Sequence, residues 1–120
     1  MRQNSVGSVA KLWIGVSALS ERQITVIIKE PCRKARVEYL FDNSLEAFKR
    51  TVGGRIETVL LSSDIVFICN ADGRNEGLPF NFNLCSVEFY GPVVIVGAKR
   101  DKFASINMRL LDGLLCHLGL

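Results

Sequence analysis

Apolar and polar positions along the chain alternate with two different periods, and a glycine pair marks where one gives way to the other. Over Asn43–Val52, the apolar residues Leu45, Phe48 and Val52 stand at i, i+3 and i+7, which places them on one face of a helix. Asn43 is positioned to cap that helix by accepting a backbone N–H, with Glu46 at the capping-box spacing. Lys49 and Arg50 suit the negative end of the helix dipole. Gly53 ends the helix because glycine enters the left-handed region without a Cβ clash, and Gly54 frees the chain to turn back. From Arg55 to Leu60 the period becomes two, the signature of a half-buried strand.

The rest of the chain reads mainly as strands. Ile24–Lys29 is β-branched, Glu30–Arg33 is a proline turn, and Ala35–Phe41 alternates as the partner strand of a hairpin. Ile65–Cys69 and Val93–Gly97 are continuous apolar runs, expected as central strands buried on both faces. Between them, Asn70–Gly77 is dense in turn formers, and Asp72-Gly73 is a hairpin signal. Pro79 argues against a central strand, so Leu78–Leu84 is predicted as an ordered loop held by Leu78, Phe80 and Phe82. Val87–Tyr90 is short and extended. Ser105 is placed to cap a final helix at about 105–118, with Ile106, Leu110, Leu114 and Leu118 on one stripe.

These elements predict an α+β fold. It is a mostly antiparallel sheet of roughly five to six strands, covered on one face by the central helix and by the C-terminal helix. The expected core is Leu45, Phe48, Val52, Ile56, Val66, Ile68, Val94, Val96, Leu110 and Leu114. Residues 23–120 form a single α+β domain. Residues 1–22 are an N-terminal extension, read as an extra strand or a docked piece anchored by Trp13; the apolar stretch Val9–Leu19 is too short to span a membrane.

Composition narrows the chemistry. A chain of 120 residues suits one domain with a modest core that needs no metal or disulfide staples. The net charge of +3 neither requires nor excludes nucleic acid. The four cysteines, Cys32, Cys69, Cys85 and Cys116, form no Cys-x-x-Cys pair, and His117 is the one histidine, so zinc is not indicated. Cys69 and Cys116 lie in apolar runs and are read as buried, reduced thiols, which suits a cytoplasm.

Several residue groups admit a functional reading. Cys69 would act as a nucleophile only with a base in reach, and His117 is the one histidine available; a buried thiol before an Asn/Asp turn is favoured. Asn70, Asp72 and Glu76 alternate oxygen atoms, but lack the charge count and distal bidentate glutamate of a calcium loop. Three basic groups, Lys29/Arg33/Lys34/Arg36, Lys49/Arg50/Arg55 and Lys99/Arg100/Lys102, would make a phosphate-binding patch if they met at one end of the sheet. The Gly53-Gly54 turn and the Asp72–Phe82 loop are the candidate places for a nucleotide or other small anion.

An ordered series of motifs runs through the chain. It comprises Ile24–Pro31, Asn43–Ala47, Val52-Gly53-Gly54 with Ile56-Glu57, Ile68-Cys69-Asn70 with Asp72-Gly73, Gly77-Leu78-Pro79, Gly91–Val94 and Val96-Gly97. In this the chain resembles a family known only as a domain of unknown function, found mostly in phages, plasmids and other mobile elements of Gram-positive bacteria. It departs from the family pattern at Cys32, at Arg55 and over Ser105–Arg109. The resemblance supplies no catalytic residues. It implies a non-enzymatic accessory protein of a mobile element, while the residues themselves point to the cytoplasm of a bacterial host and to no cofactor, metal or membrane attachment. The partner so implied is a host protein, in a counter-defence role such as inhibition of a host immune nuclease. A binder of a small anionic ligand and a nucleic-acid-binding regulator are the alternatives. The residues expected to bind ligand or partner are Gly53, Gly54, Arg55, Asn70, Asp72, Arg74, Phe80 and Asn81.

Overall fold

The β-branched stretch near the start of the domain forms β1 (Gln23–Lys29), and the proline turn returns the chain as β2 (Arg36–Asp42). There follow α1 (Leu45–Val52), β3 (Ile56–Ser62), β4 (Ile65–Asn70), β5 (Phe80–Leu84), β6 (Val87–Tyr90), β7 (Val93–Lys99) and β8 (Lys102–Ala104). This computed structural model describes residues 22–100, 102–107, 109 and 113. The described strands form an antiparallel six-stranded sheet, in the order β2-β1-β7-β4-β3 with β8 added on β7, and a separate two-stranded sheet, β5-β6.

The pairing of β7 is divided along its length. Val93, Val94 and Ile95 pair with β1, whereas Gly97, Ala98 and Lys99 pair with β8. Beyond β8, the Ile106 N–H donates to the Thr25 carbonyl at 2.9 Å, and the Ser105 hydroxyl accepts from the Thr25 N–H at 2.9 Å. The segment 102–106 is therefore a wedge between the parted halves of β1 and β7.

Every residue of β4 is buried, as are Val93–Gly97 of β7. Successive side chains in a strand point to opposite faces, so both faces of the sheet are apolar. On one face, Val26, Ile28, Val66, Ile68, Val94 and Val96 pack under Phe48 and Val52 of α1 and against Phe103. On the other, Ile27, Ile65, Phe67, Val93 and Ile95 pack under Leu84 and Phe89 of the β5–β6 hairpin. The sequence reading anticipated cover on one face only. The second cover arises because Phe80–Leu84, predicted as a loop, is a strand. Pro79 stands just before it, where a missing N–H costs no ladder bond.

The helix begins one residue later than predicted. Ser44 is the N-cap, and its side chain accepts from the Ala47 N–H at 3.1 Å. Asn43, expected in that role, is buried and donates from Nδ2 to the Phe103 carbonyl at 3.3 Å, tying the helix entry to β8. Gly53 closes the helix at φ +88°, donating to the Lys49 carbonyl at 2.8 Å.

The Asp72-Gly73 dipeptide does not make a hairpin. Residues 71–77 are consecutive turns, and β4 and β5 belong to different sheets. Ser105 does not cap a helix either: residues 105–107 are irregular, Ser105 serves β1, and Asn107 Oδ1 accepts from the Arg109 N–H at 2.9 Å. Arg109 and Gly113 are helical, but most of the helix predicted at 105–118, with Leu110, Leu114 and Leu118, lies outside the described residues. Cys116, His117, Trp13 and the extension up to residue 21 also lie outside them. No described helix is long and apolar enough to cross a membrane.

Phe48 has no exposed surface, contacts Phe41 and Phe103 at ring centroid distances of 5.3 and 5.5 Å, and joins α1 to the sheet. Replacing it with alanine should cost about 3–5 kcal/mol of stability, measured by urea denaturation, through lost burial and the cavity left behind.

Candidate functional site

Five of the predicted site residues meet around one buried side chain, Asn70, at the end of β4. The Asn70 amide donates to the Val52 carbonyl, the last of the helix, at 3.2 Å and reaches Glu76 at 3.5 Å, while its Oδ1 accepts from the Asp72 N–H at 2.8 Å. The Gly54 backbone lies against it, and a Cβ there would stand 3.1 Å from Asn70 Nδ2. Arg55 forks onto Asp72 through Nη2 at 2.8 Å and Nε at 3.3 Å. Hydrogen bonding to Asp72, and then its charge, holds the guanidinium above its ordinary pKa. The Arg55 carbonyl also accepts from the Ala71 N–H at 2.7 Å.

This cluster joins the helix end, the start of β3 and the turn after β4. It is not an anion cradle. The N–H groups of Gly53 and Gly54 both donate to the Lys49 carbonyl, at 2.8 and 3.0 Å, and the Arg55 charge is taken up by Asp72. Asn81 has a comparable role elsewhere: its amide donates to the Lys29 and Gly91 carbonyls at 2.7 and 2.8 Å, and its Oδ1 accepts from the buried Lys29 ammonium at 3.0 Å. It stitches the hairpin to the main sheet. Phe80 stacks edge-on against Tyr90 with centroids 5.6 Å apart.

The three basic groups do not converge. Antiparallel pairing puts the end of β1, the end of β4 and the start of β7 at one end of the sheet, so Lys29–Arg36 and Arg55 share that end. Lys99, Arg100 and Lys102 lie at the opposite end, at the turn from β7 to β8. Arg36 is paired with Glu30 besides.

What the strand order does create is a groove. The hairpin packs over the middle of the sheet, and β3 stands at the margin of the described sheet with part of its hairpin-side face open. One part of the groove is a cleft of about 590 Å³, walled by Glu57 and Val59 on β3 and by Val87, Glu88 and Tyr90 on β6, with Cys69 and Asn70 of β4 also lining it. A second, smaller cavity of about 200 Å³ shares Val59, Val87 and Phe89 with the first and continues past Leu60, Leu61 and Leu84. Arg74 enters from the turn region, lies 5.9 Å over the Tyr90 ring, and is 3.7 Å from Glu88. The hairpin tip is a two-residue turn, Cys85-Ser86, with φ of +52° and +68°. Glycine or asparagine usually occupies such positions.

Of the predicted site residues, Asn70 and Arg74 therefore line the groove, while Gly53, Gly54, Arg55, Asp72, Phe80 and Asn81 support the structure around it. Glu57, Val59, Leu61, Val87 and Glu88 were missed. A period of two marks the strand, but strand order alone reveals that the face carrying Glu57 and Val59 borders a groove.

Glu57, Cys69, Asn70 and Gly73, which fall in the ordered motif series, all line this cleft. A family model for a domain of unknown function matches residues 24–118, most of the chain. The chain belongs to the DUF3846 family. No curated protein and no solved structure matches it.

Cys69 is unsuited to nucleophilic work. Burial, and secondarily the charge of Glu57, push its thiol up to about 12, and its Sγ lies 3.7 Å from the Glu57 carbonyl. A group that keeps its proton longer when folded stabilises the fold below its unfolded pKa and loses that contribution as pH rises. Stability should therefore fall between pH 9, the ordinary value, and about 12, and Cys69→Ala should flatten that limb of a pH-dependent denaturation series. Asn70→Ala should cost about 2 kcal/mol by thermal melting, because it strands the Val52 carbonyl and the Asp72 N–H.

Proposed function

We propose that this chain is a non-enzymatic accessory protein of a phage or other mobile element that acts by binding a host protein, in a counter-defence role such as inhibition of a host immune nuclease. The observation that carries the binding part is the long open groove between β3 and the hairpin, with Val59 and Leu61 half-buried and Val87 36% exposed along it. Exposed apolar side chains flanking a concave surface are a mark of protein contact. The element and the host come from the family resemblance, which is analogy and not site chemistry.

The geometry gives less support to the other readings. An anion would meet two carboxylates, Glu57 and Glu88, against one guanidinium, Arg74, in the larger cleft. A nucleic acid would meet basic groups at opposite ends of the sheet.

Native mass spectrometry of the tagged chain, recovered gently from its natural host, tests the proposal. A co-purifying protein at fixed stoichiometry is expected. A tightly held small molecule on an otherwise single chain would overturn it in favour of a ligand sequesterer.

A further inference from the structure

The two cavities differ in chemistry and lie end to end along β3. The larger carries Glu57 and Glu88, and Glu57 forms no ion pair among the described residues. The charge of Glu57 reaches the floor of the cleft, where it helps keep the Cys69 thiol protonated. The smaller cavity is bounded by Leu60, Leu61, Phe67 and Leu84. A locally acidic hollow, on a chain whose net charge is +3, thus leads into an apolar one.

We propose that this groove takes an extended segment of a partner protein, with a lysine or arginine entering beside Glu57 and a bulky apolar side chain entering beside Leu61. The inference rests on the protein-binding reading above and names the partner's chemistry. Charge complementarity selects the basic residue, and its methylene stem finds Val59 and Val87 along the walls. The spacing follows from the strand. Leu61 stands four positions after Glu57, about 13 Å at roughly 3.3 Å per residue, so an extended partner presents the two side chains about four positions apart on one face. Arg74, held loosely at 3.7 Å from Glu88 and largely exposed, is the one cation in the cleft among the described residues, so a second carboxylate is partly served and Glu57 is the open position.

The test uses the full chain, labelled with nitrogen-15, titrated by NMR with a capped peptide that carries arginine at one end and leucine four positions on. Saturable shifts at Glu57, Val59, Leu61 and Val87 are expected. Replacing the peptide arginine by citrulline, which keeps the shape and removes the charge, should weaken binding roughly two- to fivefold, the range of a partly exposed ion pair. Glu57→Gln should do the same. Replacing the leucine by asparagine should weaken it further. Equal binding of the citrulline peptide, shifts centred away from β3 and β6, or no saturable binding at millimolar peptide would each overturn the inference. The two proposals fail separately. A host protein captured equally well by the wild-type chain and by Glu57→Gln would overturn the groove and keep the accessory role. Saturable, charge-dependent peptide binding with no co-purifying protein would support the groove and remove the host-protein reading.

Discussion

In β4 and β7 successive side chains go to opposite faces of the sheet, and nearly all of them are large, apolar and buried. Two hydrophobic faces need two covers, and the chain supplies them from different sequence periods. Leu45, Phe48 and Val52, spaced for a helix, close one side. Phe82, Leu84 and Phe89, spaced for strands, close the other, with Phe82 and Phe89 ring centroids 4.8 Å apart over Phe67. A two-stranded hairpin is narrower than the sheet it covers, so the margin at β3 is left partly open. The groove is thus a result of how the second face is closed.

Polar residues at the rims hold these covers in register. Asn70 joins the end of the helix to the turn after β4, and Asn81 joins the hairpin to the end of β1. The Asn70 amide serves backbone groups with both its donor and its acceptor, and the Asn81 amide donates to two backbone carbonyls while its oxygen accepts from the Lys29 ammonium. Both stand in stretches dense in asparagine, where sequence reading alone makes them turn formers or ligand contacts. Their common role is to satisfy main-chain groups where layers meet.

Local signals in the sequence were legible, and long-range ones were not. The helix, its glycine stop, the central strands and the core of one face follow from periodicity and capping chemistry. The second core was missed because a single proline demoted Phe80–Leu84 to a loop, although Pro79 lies outside that strand. The cap was misplaced by one residue because Asn43 is occupied by a carbonyl some 60 positions away, at Phe103. The candidate site was half visible. Asn70 and Arg74 were named, but the wall formed by Glu57, Val59 and Leu61 follows only from the strand order. The three basic groups show the same limit, since their spacing in sequence says nothing about which end of the sheet each occupies.

The wedge formed by 102–106 has a consequence for the making of the protein. Thr25 emerges near the start of the domain, yet its backbone partners are Ser105 and Ile106. Those contacts close a loop of 80 residues, and loop closure on that scale is slow as well as entropically unfavourable. During synthesis the first strand waits, its inner edge incomplete, until residues 105 and 106 have been made. Nascent chains of this protein therefore pass through a long interval in which an apolar β-branched strand is available to chaperones, to proteases and to one another.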